Sequence, residues 1–112
     1  MPALKKPILT LAVLASATIT EFGAIDYDGT VPASGDTMQG LAVTDGVSGD
    51  LVATDVLGTS IAIAGGPVAI GAELQVGTGA KLITKAAGLV VARALQAAAA
   101  DGDQFEVMLL PR

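Results

Sequence analysis

Two stretches of the sequence echo each other: GDLVATDVL at residues 49–57 and GDQFEVMLL at residues 102–110, 53 residues apart. Both begin with Gly-Asp, and both then place apolar or small side chains at every second position. Alternation with a period of two is typical of a β-strand with one buried face. An apolar run and a small-residue turn precede each stretch, so the sequence predicts two β-hairpins of the same design.

Other β-rich runs are separated by Gly, Asp, Ser and Pro at short intervals. We predict strands at these ranges: 8–14, 18–25 with a bulge at Gly23, 38–44, 51–57 continuing at 59–64, 72–76, 80–84, 89–96 and 104–110. Gly77-Thr78-Gly79 predicts a hairpin loop. Eight or nine short strands at this spacing predict an all-β protein, a small β-barrel or sandwich.

Residues 91–100 are the one candidate for a helix, since they include four consecutive alanines, which favour helix. The echo instead makes this segment the first strand of the second hairpin. We therefore predict at most a short helical turn near residues 97–100.

The amino-terminal residues differ from the rest of the chain. Pro2 and Pro7 interrupt residues 1–7, which we predict to be an extended arm in front of a single β-rich domain at residues 8–112. The apolar run at residues 8–14 predicts a strand buried on much of both faces.

The same start also resembles a secretory signal, because Lys5 and Lys6 precede an apolar run and the small residues 15–17. The run is short, however, and Thr10 interrupts it. No stretch approaches the ~20 apolar residues that a membrane helix needs, so we expect no membrane partner.

The side chains offer little chemistry. The chain has no His, Cys or Trp, and its only aromatic residues are Phe22, Tyr27 and Phe105. The side chains that usually perform general acid–base catalysis at neutral pH and thiol chemistry are therefore absent. A net charge of −5 disfavours binding to nucleic acid. We expect no enzyme, and no catalytic residues, cofactor, metal ion or small-molecule substrate.

Three short motifs have simpler explanations as turns. Asp26-Tyr27-Asp28-Gly29 begins like a calcium loop, but Thr37 stands where the last ligand should be. Asp101-Gly102-Asp103 predicts a hairpin turn. Gly77-Thr78-Gly79-Ala80-Lys81 lacks the full pattern of a phosphate-binding loop. Carboxylate pairs could hydrolyse glycosides, but the aromatic residues that bind sugars are scarce.

Composition points to an assembly. Hydrophobic residues make up 52% of the chain and charged residues only 15%, against about 25% charged in ordinary domains. Between Lys6 and Lys81 every charged residue is acidic. This acidic span either complements a basic partner or forms a solvated surface that keeps the protein soluble.

Four segments together resemble the small decoration, or cement, proteins of tailed-bacteriophage capsids. That family has an extended arm and a Leu-Thr-Leu-like strand, a Gly-x-Ala-x-x-x-Ala-x-x-Gly-Asp hairpin, a glycine-bounded segment and a closing Gly-Asp-x-(Phe/Val)-x-Val-x-Leu-Leu strand. The corresponding residues here are 8–13, 40–50, 65–71 and 102–110. The chain departs from the pattern at Val47, where the family prefers a small residue.

The resemblance implies a β-barrel-like subunit, usually a homotrimer, made in the host cytoplasm and seated on the outer capsid surface of the virion. There it would bridge neighbouring major capsid proteins and stabilise the shell. We expect the capsid contact to include the arm: Pro2, Ala3, Leu4, Lys5, Lys6 and Pro7. Two alternatives remain open, namely another phage structural component (tail, fibre or head-completion protein) and a secreted adhesin-like β-domain.

Overall fold

Eight β-strands form the regular structure of residues 5–110, the part of the chain that the computed structural model describes. In chain order they are β1 (Pro7–Leu14), β2 (Ala24–Ile25), β3 (Gly40–Ala42), β4 (Leu51–Ile63), β5 (Glu73–Val76), β6 (Leu82–Thr84), β7 (Ala92–Ala94) and β8 (Gln104–Leu109). The only helical element among these residues is a 3₁₀ turn at Thr78–Ala80. The all-β prediction is confirmed.

All strands belong to one nearly closed, barrel-like sheet with the order β2-β3-β4-β8-β7-β5-β6, and β1 pairs separately with β4. The strand pairs are antiparallel. Strand β4 organises the sheet: its first half pairs with β1 and β3, and its second half pairs with β8.

The sequence echo corresponds to a structural repeat. We call β1, β2, β3, residues 51–57 of β4 and the segments that join them the first repeat. Residues 59–63 of β4, the strands β5, β6, β7 and β8 and the segments that join them form the second repeat. Leu14 pairs with Leu51 in the first repeat, as Ile63 pairs with Gln104 in the second. Strand pairs β2–β3 and β5–β7 correspond in the same way.

The turns that lead into the echoed stretches share their hydrogen bonds around the Gly-Asp pair. Ala15 N–H donates to the Asp50 carbonyl at 2.8 Å, and Ala64 N–H donates to the Asp103 carbonyl at the same distance. The Asp50 and Asp103 carboxylates each cap their own turn, accepting from backbone N–H groups three residues earlier at 3.0 and 3.1 Å. The Gly-Asp pair therefore builds one turn twice, which confirms both predicted hairpins.

The buried side chains form two clusters of unequal size. The larger lies mainly in the second repeat around Phe105, which is fully buried. The smaller lies in the first repeat and contains six residues: Val13, Ala15, Ile19, Ile25, Ala42 and Val52. The first repeat thus leaves more of its apolar residues outside the core.

Several predicted strands are shorter in the structure. The run predicted at residues 18–25 is a strand only at Ala24–Ile25, because Phe22 takes a left-handed conformation with φ of 66°. The runs at 38–44 and 89–96 shorten to Gly40–Ala42 and Ala92–Ala94. No helical turn forms at residues 97–100, since Ala98 pairs with Val68 in a β-bridge.

The predicted burial of the strand at residues 8–14 is wrong. Strand β1 forms, but only Val13 is buried and its other seven residues are exposed. The strand pairs through one edge with β4, and among the described residues no other strand pairs with it. Residues 5–110 therefore leave most of this apolar strand uncovered.

Candidate interaction surface

Exposed apolar side chains concentrate on β1 and its surroundings. Ile8 is 80% exposed and Leu14 is 59% exposed, while Leu9 and Leu11 are about two-fifths exposed. Leu51, which pairs with Leu14, is 73% exposed. We call the exposed side chains of β1 the β1 surface. Exposed apolar side chains that cluster in this way on a small protein are typical of an interaction site.

A shallow groove of about 230 Å³ runs beside the β1 surface. Its lining is almost entirely apolar and consists of Leu9, Leu11, Tyr27, Gln39, Val56 and Leu57. Tyr27 lies on the turn after β2 and is 56% exposed. The groove therefore lies between the strands β1 and β4 and this turn.

The second repeat shows why the groove exists. Gln39 corresponds to Val91, because their N–H groups donate to the Ile25 and Leu74 carbonyls of the equivalent strands β2 and β5. The echo matches Val56 with Leu109, and both residues of the second repeat are buried in one cluster with Leu82 of β6. The hairpin that carries Leu82 has seven residues between Gln75 and Ile83. The corresponding turn of the first repeat has only three, between Asp26 and Thr30, so the first repeat has no counterpart of the Leu82 side chain.

The root of the arm is fixed to β4 by a buried carboxylate. Asp55 is 1% exposed, and its oxygens accept from Lys5 Nζ at 2.9 Å, Thr10 Oγ1 at 2.9 Å and Ser60 Oγ at 2.8 Å. A buried charge is tolerated when it is paired and hydrogen-bonded in this way. Residues 5 and 10 are thereby held to the middle of β4.

Backbone contacts hold the next residue of the arm. Lys6 N–H donates to Thr59 Oγ1 at 2.6 Å, and Thr59 N–H donates to the Lys6 carbonyl at 3.2 Å. Pro7 is already the first residue of β1. Pro2, Ala3 and Leu4 lie outside the described residues, so the structure places three of the six predicted contact residues, all at the amino end of the β1 surface.

The sequence did not single out Asp55, which orders this region. The available signal was its place in the echo, where one carboxylate interrupts a strand of apolar and small residues at the position equivalent to Met108. The sequence also could not predict the groove. The hairpin that carries Leu82 and the turn at residues 26–30 correspond only in their backbone hydrogen bonds, so no similarity in sequence connects them.

The acidic side chains of the turn at residues 26–30 accept hydrogen bonds from neighbouring backbone N–H groups. The carboxylate of Asp28 accepts hydrogen bonds from the Thr30 side chain and backbone, and these lower its pKa from the ordinary value of 3.8. Asp26 Oδ1 accepts from Tyr27 N–H at 2.8 Å. Within residues 5–110 no group of three or more acidic side chains could hold a metal ion.

Two further features bear on the predicted motifs. Lys81, in the glycine-rich hairpin, pairs its ammonium with the Asp101 carboxylate at 2.7 Å, so the two predicted turns meet. No helix among the described residues has the length and apolar character needed to cross a membrane.

Comparison with known proteins gives a fold relationship. Neither a protein-family model nor a curated protein sequence matches the chain significantly. The structure is similar to the crystal structure of the N base of head fiber gp8.5 of bacteriophage phi29, with a TM-score of 0.76 and 19% sequence identity. The match covers 91% of this chain and 93% of that one. At this identity the likeness establishes a shared fold.

Proposed function

We propose that this chain is a structural protein of a bacteriophage virion that binds the outside of the capsid and stabilises it. The supporting observation is the match of nearly the whole chain to the base of a phage head fiber. The four sequence segments that resemble capsid decoration proteins lead to the same class independently.

A binding role without catalysis suits the side chains present. The β1 surface carries no charge and, apart from Thr10, is apolar, and the chain has no His or Cys. A protein that binds only the assembled shell stabilises that state by mass action. Many copies bridging neighbouring major capsid proteins act together, so modest contacts suffice.

The arm at residues 2–7 contributes to the capsid contact in this proposal. Lys5 fixes its root through Asp55, and Lys6 stands exposed beside the first residues of β1. An extended segment in front of a strand can add to a sheet of the capsid protein. A homotrimer, which the resemblance implies, stays a prediction.

A second candidate is the base of a head fibre. The name of the structurally similar protein favours this role, and such a base would bind the capsid while carrying a distal segment. The two candidates differ in copy number, since decoration requires a subunit at most capsid joints.

Quantitative mass spectrometry of purified virions of the encoding phage tests the proposal. We expect the chain to be a virion component with a copy number comparable to that of the major capsid protein. A much lower number would favour the fibre base over decoration. Absence from the virion would refute both roles.

A further inference from the structure

A single carboxylate lies at the point where the arm joins the barrel. Asp55 is the only charged residue of β4, and it is 1% exposed. Its Oδ2 accepts from Lys5 Nζ at 2.9 Å and from Ser60 Oγ at 2.8 Å, and its Oδ1 accepts from Thr10 Oγ1 at 2.9 Å. The carboxylate thus ties together the arm, β1 and both halves of β4.

The barrel itself does not require a charge at this position. In the echo the equivalent residue is Met108, which is 40% exposed. The second repeat continues directly from the first half of β4 and has no arm to hold. A buried ion pair often stabilises a fold no better than apolar residues of similar volume. At this position the carboxylate is therefore found only in the repeat that begins with an arm.

The two lysines of the arm have opposite surroundings. The Lys5 side chain is 27% exposed and turns its ammonium inwards to Asp55. Lys6 is exposed, but its backbone is held, because its N–H donates to Thr59 Oγ1 and its carbonyl accepts from Thr59 N–H. Gly58 permits this approach, since a Cβ there would lie 2.6 Å from the Lys6 carbonyl oxygen. Lys6 is thus presented to solvent from a fixed backbone.

We propose that Asp55 is a positioning residue for the capsid contact. The Lys5–Asp55 pair, which we call the latch, fixes the point at which residues 2–4 join the barrel. Lys5 belongs to the latch and is not itself a contact, so Lys6 supplies the basic group that is offered to the capsid. Holding a binding segment at its root reduces the conformational entropy that is lost on binding. The inference rests on the proposed capsid role, but the latch can be tested without capsids.

Limited digestion of the full chain with trypsin tests the latch. Trypsin takes a lysine side chain into its specificity pocket and cuts poorly before proline, so its site in the arm is the bond between Lys5 and Lys6. Because Asp55 holds the Lys5 side chain, this bond should be cut only when the latch opens. Asp55→Asn should raise the rate of this cut, measured by mass spectrometry, at least about tenfold.

The matched control is Asp101→Asn, which frees Lys81 from an exposed ion pair in the same way. It should leave the rate of the cut after Lys5 unchanged. In every variant the arm should be released well before a cut at Arg93, which lies in β7 and becomes accessible when the domain unfolds.

A second variant keeps the test independent of folding. If Asp55→Asn does not fold, Thr59→Val decides, because it removes the acceptor of Lys6 N–H and keeps a β-branched residue in the strand. It should raise the rate about threefold or more. An arm that is cut at the wild-type rate in the folded variant, or only as fast as Arg93, overturns the latch.

Sedimentation with capsids that lack the protein tests the consequence for binding. Asp55→Asn should bind at least about tenfold more weakly than the wild type, and Asp101→Asn should bind like the wild type. Undiminished binding by a folded Asp55→Asn chain would overturn the positioning role. A wild type that binds no capsid would instead contradict the proposed function, and the trypsin result for the latch would be unaffected.

Discussion

Gly29 lies in the first repeat where Leu82 lies in the second. The Gly29 carbonyl accepts from Ser16 N–H at 3.0 Å, and the Leu82 carbonyl accepts from Gly65 N–H at 2.9 Å. Leu82 fills the core with its side chain, whereas Gly29 contributes none. In the second repeat the Leu82 side chain therefore fills the space that remains open in the first repeat as the groove beside β1.

The first prediction concerns the close approach at Gly29. Its φ is +83°, and a Cβ there would lie 2.0 Å from the Leu14 carbonyl oxygen. Gly29→Ala should lower the free energy of unfolding by about 3 kcal/mol or more, combining backbone strain with this clash. Urea denaturation measures the change.

Gly71→Ala is the matched control, because Gly71 has a φ of +82° and no atom within 4 Å of its would-be Cβ. It should cost only the conformational strain, about 1 kcal/mol. Equal losses for the two variants would show that the contact with Leu14 contributes nothing.

Asp55 should be the most sensitive carboxylate in the domain. Asp55→Ala removes the acceptor of Lys5, Thr10 and Ser60, and we expect a loss of about 3 kcal/mol. Lys81→Ala breaks an exposed ion pair with Asp101 and should cost less than about 1 kcal/mol. Thermal and urea unfolding compare the two, and similar losses would contradict the structural role of Asp55.

Truncating a buried leucine should destabilise the protein far more than truncating an exposed one. Leu82 is fully buried, so Leu82→Ala should destabilise the protein by about 2–5 kcal/mol. Leu11 is 40% exposed, and Leu11→Ala should cost well under half as much. A larger loss for Leu11→Ala would mean that β1 is part of the core.

The lowered pKa of Asp28 gives a prediction with a definite sign. Its hydrogen bonds from Thr30 favour the charged carboxylate, so their contribution is present above the unfolded pKa and disappears as the pH falls through the folded pKa. Thr30→Val removes the side-chain donor and should raise the pKa of Asp28 towards 3.8. A carboxyl titration followed by NMR measures it, and an unchanged pKa would assign the shift to the backbone donor.

The arm prediction has a direct test on particles. Deleting residues 2–4 should weaken capsid binding while leaving the unfolding transition unchanged, because the Lys5–Asp55 pair remains. Capsids that lack the protein can be incubated with either chain and sedimented. Full occupancy by the shortened chain would remove residues 2–4 from the predicted contact.

The sequence predicted the features that depend on local pattern. The echo at residues 49–57 and 102–110 identified both hairpins, since alternation and Gly-Asp turns are encoded within a few residues. The strand at residues 8–14 was also correct. The burial predicted for this strand was wrong, because an apolar run does not indicate whether other elements cover its faces.

The repeat of the whole fold was only partly visible. Hydrogen bonds match Ser16 with Gly65 and Gly29 with Leu82, but these pairs share no side-chain character. Backbone geometry persists while side chains diverge, so only the structure could reveal the second half of the correspondence and the groove that results from it.

Electron cryomicroscopy of the native virion tests the central claim most directly. The account predicts density of this β-barrel on the outer capsid surface, at joints between neighbouring major capsid proteins, with the amino-terminal residues against the shell. Density confined to the tail or the particle interior, or a virion without this chain, would contradict it.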